Sequence, residues 1–115
     1  MTDEQTCDKI EELFTHTSKI NEKDPDLHVV LGVLYNLTAQ FDNASLHFKR
    51  ALQFRPKDST LWNKLGASFA NGYRCKEAID AYYRALSLKP NYVHAMSNLG
   101  IAFSNQDMHK EAARA

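Results

Sequence analysis

Four asparagines, spaced along two segments with helical periodicity, are the residues of this sequence best suited to recognise another chain. Asn63 and Asn71 are eight residues apart, and Asn98 and Asn105 are seven apart. At about 100° per residue, each pair stays on one broad side of a helix. A carboxamide can donate to a carbonyl and accept from an amide without a charge to desolvate. The spacing therefore predicts a face that binds the main chain of a peptide, with the small Ala67 leaving room for it.

The alternative interpretation is that these asparagines are solvated or cap helix ends. Asn71 in "NGY" and Asn105 in "NQD" are expected near helix ends, where asparagine is common. The occurrence of four asparagines around Ala67 favours binding over this alternative.

No catalytic or metal-binding motif accompanies the asparagines. The sequence contains no HExxH, no G-x-S-x-G and no phosphate-binding loop. Cys7 and Cys75 lack CxxC spacing and are expected to be reduced thiols on helices. The five histidines are His16, His28, His47, His94 and His109, and none of them forms an i, i+4 pair. We predict no enzyme activity, no metal site and no cofactor.

Composition narrows the classes of partner. The 14 basic and 14 acidic side chains cancel, so no excess charge attracts nucleic acid or anionic lipid. No stretch approaches the roughly 20 apolar residues of a membrane-spanning helix, and the polar "MTDEQTCDKIEE" is not an export signal. A cytoplasmic protein that binds no nucleic acid is expected.

The elements that must position the asparagines follow from an internal repeat with a period of about 34 residues. The segments "LHVVLGVLYNLTAQFDNASLHFKRALQFRP" and "LWNKLGASFANGYRCKEAIDAYYRALSLKP" align at this offset. A third copy continues with Leu99, Gly100, Phe103 and Ala112. The matched pairs are Leu31 with Leu65, Gly32 with Gly66, Tyr35 with Phe69, Ala44 with Ala78, Phe48 with Tyr82, Ala51 with Ala85, and Pro56 with Pro90.

Each copy predicts two antiparallel amphipathic helices. Apolar residues at i, i+3, i+4 and i+7 mark the helices, small residues let them approach closely, and proline closes the second helix. Since one pair cannot bury its apolar face alone, the pairs should stack into an all-α, right-handed solenoid. We expect an N-terminal helix and linker over 1–24, repeats over 25–58 and 59–92, and a truncated repeat over 93–115. The first helix should run from about Cys7 to Ile20, and the whole should be a fragment of a longer protein.

These positions resemble the tetratricopeptide repeat, whose order is Trp or Leu, Leu-Gly, Tyr, Ala, Phe or Tyr, Ala and Pro. His28 departs from the pattern, since it stands where the family has Trp or Leu. Chaperone-binding members of the family use a clamp of lysine and asparagine four residues apart. Val29 and Val33, then Asn63 and Ala67, occupy those positions, so the clamp is missing.

A closer resemblance covers about residues 8–115. "GVLYNLTAQFDNA", "LWNKLGASFANG", "EAIDAYYRALSLKP" and "NLGIAFSNQDMHKEA" resemble the C-terminal repeats of import receptors that recognise C-terminal Ser-Lys-Leu-type peroxisomal signals. The resemblance implies that the asparagines hold the backbone and carboxylate of the signal. It implies that Lys64 supplies positive potential beside the pocket for the terminal leucine, which Ala67 helps to shape. His94 stands where the family commonly has arginine. The implied peptide-binding set is Asn63, Lys64, Ala67, Asn71, His94, Asn98 and Asn105.

The resemblance also implies partners and a location. The partners are C-terminal signal peptides of peroxisomal matrix proteins, together with peroxisomal docking proteins that bind parts outside this chain. The receptor would be cytoplasmic and would cycle to the peroxisomal membrane. Self-association could cover the apolar face of the truncated repeat. A generic tetratricopeptide scaffold or co-chaperone remains the alternative function.

Overall fold

The computed structural model describes residues 3–17, 19 and 23–114, with side chains described for 8–17, 19 and 23–107. It forms an all-α tetratricopeptide-repeat solenoid, and the described residues contain no strand. Antiparallel pairs are formed by α2 with α3 and by α4 with α5, and α6 packs against α5. The helices are α1 (Asp3–Thr17), α2 (Pro25–Leu37), α3 (Phe41–Phe54), α4 (Ser59–Asn71), α5 (Cys75–Leu88) and α6 (Val93–Arg114). Within the described residues, no helix is both long and apolar enough to cross a bilayer.

A buried aromatic ring lies on a glycine in each complete helix pair. The Phe48 ring of α3 covers Gly32 of α2, and the Tyr82 ring of α5 covers Gly66 of α4. A Cβ added to either glycine would lie 2.5 Å from a ring carbon, so only glycine permits this approach. Both rings are buried within the apolar core that runs from α3 to α5 and on to α6.

The turn within each complete pair repeats with the same geometry. Ala39 and Tyr73, which occupy equivalent positions in the two repeats, have positive φ angles of 59° and 63°. This conformation costs roughly 1–2 kcal/mol for a residue with a Cβ. Equivalent backbone bonds follow each of them, from Gln40 N–H to the Tyr35 carbonyl and from Arg74 N–H to the Phe69 carbonyl, both at 2.8 Å. The packing of the returning helix offsets the conformational cost.

Two helix boundaries differ from the sequence prediction. Helix α1 begins at Asp3 and ends at Thr17, whereas the prediction was about Cys7 to Ile20, a range that includes residues outside those described. Helix α6 is continuous from Val93 to Arg114, so the expectation that Asn105 lies near a helix end was wrong. Asp107 is the counterpart of Ala39 and Tyr73, but it lies inside α6, and within the described residues no returning helix packs there to offset the cost of a positive φ.

The first repeat departs from the family pattern at His28, and this residue forms a pair with His47 of α3. The Nδ1 atoms of His28 and His47 are 3.1 Å apart, so one ring donates and the other accepts. The Tyr35 ring stacks on His47 with the centroids 5.4 Å apart, and Phe14 of α1 contacts Tyr35 at 4.5 Å. The two histidines therefore stand at the positions that Trp62 and Ala81 occupy in the second repeat. The rings of His47, Tyr35 and Phe14 form a stack that joins the pair to α1.

This pair predicts an acid-sensitive first repeat. Burial, followed by Arg50 and His28, lowers the pKa of His47 from 6.5 to about 4. Between these values the unfolded chain binds the extra proton and the folded chain does not. The contribution of His47 to the free energy of unfolding should therefore be fully present above pH 6.5 and should be lost as the pH drops toward 4. We expect a loss of only about 1 kcal/mol, because solvent screens the half-exposed ring.

Urea unfolding across this pH range tests the expectation. The double substitution His28→Trp with His47→Ala copies the second repeat and should remove this part of the pH dependence. His16→Ala, at an exposed position on α1, is the control and should leave the pH dependence unchanged. An equal slope in the double variant and the wild type would contradict the assignment to His47.

Candidate functional site

The site lies on one face of α4 and α6, which are the first helices of two successive repeats. Asn63 lies in the second turn of α4, and Asn98 lies in the second turn of α6. Trp62, Leu65 and Phe69 direct α4 into the core and leave Asn63 half-buried on another side of the helix. The stacking of repeats thus brings two amides from separate helices to the same place.

A chain of hydrogen bonds joins these amides to a tyrosine. Asn98 Nδ2 donates to Asn63 Oδ1 at 3.1 Å, and Asn63 Nδ2 donates to Tyr92 Oη at 3.5 Å. The His94 ring meets the Tyr92 ring edge-on, with the centroids 6.2 Å apart. We call Asn63, Asn98, Tyr92 and His94 the amide cluster.

The hydrogen bonds within the cluster leave donors and acceptors for a ligand. Each amide has two N–H donors and a carbonyl oxygen with two lone pairs. Asn63 and Asn98 each use one N–H in the cluster, and Asn63 also uses one lone pair. The Tyr92 hydroxyl accepts from Asn63 and retains its own O–H. Because all three residues are half-buried, the remaining groups suit a backbone or carboxylate that can approach closely.

Lys64 and Ala67 lie beside Asn63 on α4. Both side chains are half-buried, and the Lys64 carbonyl accepts a hydrogen bond from Ser68 Oγ at 3.2 Å. The single O–H of Ser68 is shared with Asn36 Oδ1, which lies 3.1 Å from Ser68 Oγ, and this contact links α4 to α2 as Asn98 links α6 to α4. Hydrogen bonds between first helices thus occur at both repeat junctions.

Asn71 and Asn105 lie farther from the amide cluster. Asn71 is the exposed last residue of α4 and is about 12 Å along the helix from Asn63. It lines a depression of about 580 Å³ together with Gln40, Phe41 and Tyr73 from the turns. Asn105 is half-buried along α6. Among the described side chains, no hydrogen bond connects either residue to the cluster.

Tyr92 is absent from the set predicted from the sequence. A signal was available, because positions 24 and 58, which precede it by two repeats and one repeat, are both aspartate. Those aspartates cap α2 and α4. A change of residue type at a capping position points to a different role.

A larger depression lies away from these residues. Its volume is about 920 Å³, and it contains none of the seven residues of the predicted set. Arg84 lies over Trp62 and Lys49 over Phe69 at its walls, with 5.5 and 5.1 Å to the ring centroids.

The described residues contain no group of three or more His, Cys, Asp or Glu side chains arranged to hold a metal ion.

The curated proteins to which this chain is similar include receptors of one class. It is 44% identical over 109 residues to a peroxisomal targeting signal receptor of Candida albicans, a match to 91% of the chain. It is 46% identical over 96 residues to the receptor of the same name in Candida glabrata, with 84% of the chain covered. The chain spans 18% and 16% of the lengths of these relatives. No protein-family profile matches.

The fold has a close counterpart among solved structures. "MamA MSR-1 C2" superposes with a TM-score of 0.75 at 24% identity, over 90% of this chain and 59% of the other. This likeness supports the tetratricopeptide-repeat solenoid.

Proposed function

Because this chain belongs to the tetratricopeptide-repeat segment of the peroxisomal targeting signal receptors, we propose that it forms part of the groove that binds the C-terminal Ser-Lys-Leu-type signal of cargo proteins. The observation that carries the proposal is the bond from Asn98 to Asn63, which joins amides of successive first helices into one polar surface. The unused donors there suit a terminal carboxylate, and the unused acceptors suit peptide N–H groups.

Each residue of the predicted set has a proposed role. Asn63 and Asn98 bind the end of the signal, while Asn71 and Asn105 bind the main chain farther along the helices. Lys64 adds positive potential near the carboxylate, and Ala67 leaves space for the terminal side chain. His94 lies at the edge of the amide cluster, where its imidazole supplies a weaker attraction than the arginine of the family pattern.

We propose repeat boundaries at 25–58 and 59–92, with a further repeat from 93 and a preceding helix with its linker over 1–24. The chain acts as a binding module without catalysis. A cytoplasmic receptor that cycles to the peroxisomal membrane, and that meets docking proteins through other segments, is the cellular role we infer. The related receptors support a peroxisome-related function, and their name supplies the cargo signal as the partner.

Heteronuclear NMR titration of the chain with a peptide ending in Ser-Lys-Leu tests this function. We expect the side-chain amide signals of Asn63 and Asn98 to shift, with an affinity about 10-fold lower for the C-terminally amidated peptide. Hydrogen bonds to a charged group contribute about 1.5–3 kcal/mol, and about 1.4 kcal/mol is a factor of ten in affinity. Equal binding of acid and amide would overturn the receptor function.

Substitutions test whether peptide binding depends on the amide cluster or on surface asparagines in general. Asn63→Ala or Asn98→Ala should each weaken binding of the acid peptide by about 10-fold and leave the helical content unchanged. Asn43→Ala is the matched control, because Asn43 is an exposed asparagine on α3 whose amide donates to Gln40 outside the cluster. Unchanged affinity in the first two variants would overturn the proposal that these two amides bind the peptide.

A general scaffold that binds through the depression at Trp62 and Arg84 is the second candidate. The aromatic rings and cations there are the observation that favours it. Peptide-dependent shifts confined to the residues of that depression would support it over the receptor function.

A further inference from the structure

Tyr92 occupies a position that the two preceding repeats use to cap a helix. Asp24 accepts a hydrogen bond from Asp26 N–H, and Asp58 accepts one from Leu61 N–H. Tyr92 is the counterpart of Asp58 in the next repeat, and its carbonyl accepts the first helical bond of α6, from Met96 N–H, as the Asp58 carbonyl does from Trp62 N–H. Tyr92 is therefore the N-cap residue of α6, but it has no acceptor that could reach back as an aspartate does.

The tyrosine side chain is instead held toward the amide cluster. Lys89 Nζ lies 4.9 Å from the centroid of its ring, and the His94 ring meets it at 83°. The Tyr92 N–H also donates to the Lys89 carbonyl at 3.1 Å, which fixes the turn from which the ring projects. From there the hydroxyl reaches Asn63 on α4, 29 residues earlier in the chain.

We propose that Tyr92 is a positioning residue that orients the Asn63 amide for the peptide end, an inference that rests on the proposed receptor function. An isolated amide can flip about its terminal bond and exchange its donor and acceptor ends. In this structure the Tyr92 oxygen receives Asn63 Nδ2 and Asn98 Nδ2 donates to Asn63 Oδ1, so the Asn63 amide is held between two partners and its rotation is restricted. The third repeat thus has no capping aspartate at this position, and its tyrosine instead holds an amide of the preceding repeat.

Two substitutions separate positioning from structural support. Tyr92→Phe keeps the ring with its Lys89 and His94 contacts and removes only the hydroxyl. It should shift the Asn63 side-chain amide signals even without peptide, weaken binding of the Ser-Lys-Leu peptide about five-fold, and leave Tm unchanged. Tyr92→Asp restores the cap to α6, so it should raise Tm by a few degrees while weakening the same binding. If Tyr92 had only a structural role, a variant with a higher Tm would not be expected to bind the peptide more weakly.

A coupling measurement completes the test. In the Asn63→Ala background, Tyr92→Phe should cause no further loss of affinity, because the amide that it orients is gone. Unshifted Asn63 amide signals in Tyr92→Phe would overturn the inference, whatever the peptide does. Wild-type affinity in Tyr92→Phe, with the acid still preferred over the amide, would also overturn it and leave the receptor function intact. Loss of the acid preference in the wild type would instead reject the receptor function.

Discussion

Replacing Phe48 by alanine should lower the free energy of unfolding by about 3–5 kcal/mol, because it removes a fully buried ring from the junction of α2 and α3. The ring lies directly on Gly32, and glycine has no side chain that could move into the resulting cavity. Urea unfolding followed by far-ultraviolet circular dichroism measures the loss.

Phe54 provides the matched control on the same helix. It is 49% exposed, so Phe54→Ala should cost less than about 1 kcal/mol. Similar losses in the two variants would contradict the assignment of Phe48 to the core.

Gly66→Ala should destabilise the chain by about 2 kcal/mol, whereas the same change at Gly100 should stabilise it by about 0.5–1 kcal/mol. The new methyl group at position 66 would overlap the buried Tyr82 ring, and overpacking of a core costs about 1–3 kcal/mol. A Cβ at Gly100 meets nothing within 4 Å, so alanine there gains only its better helix propensity.

A double-mutant cycle isolates the contact at Gly66. In a Tyr82→Leu background, Gly66→Ala should lose much of its cost because the rigid ring is gone. If Gly66→Ala and Gly100→Ala have equal effects on the free energy of unfolding, close packing is not the reason for glycine at position 66.

The fold was predictable because the positions that determine it recur at a fixed spacing. Gly66 and Tyr82, like Gly32 and Phe48, follow from the repeat offset alone. The path of the chain at Asp107 was not predictable in the same way. The turn conformation of Ala39 and Tyr73 is unfavourable locally and depends on the packing of a returning helix, which a periodic pattern does not report.

The candidate site was predictable only within single helices. Helical angles place Asn63 on one face of α4, but its contact with Asn98 depends on how one repeat is rotated against the next. The pairing of His28 with His47 has the same origin, because it compensates for a missing tryptophan across two helices. The identification of Tyr92 required a comparison of capping positions between repeats, and a search for motifs within one repeat does not make that comparison.

The bond between Asn63 and Asn98 also has a mechanical consequence. It crosses the junction between two repeats, as the bond between Ser68 and Asn36 crosses the preceding junction. A ligand that favours one arrangement of Asn63 and Asn98 also favours one angle between α4 and α6, and by reciprocity that angle sets the affinity of the ligand. Under the proposed function, bending of the solenoid at this junction and binding of a chain end would therefore share one coupling free energy.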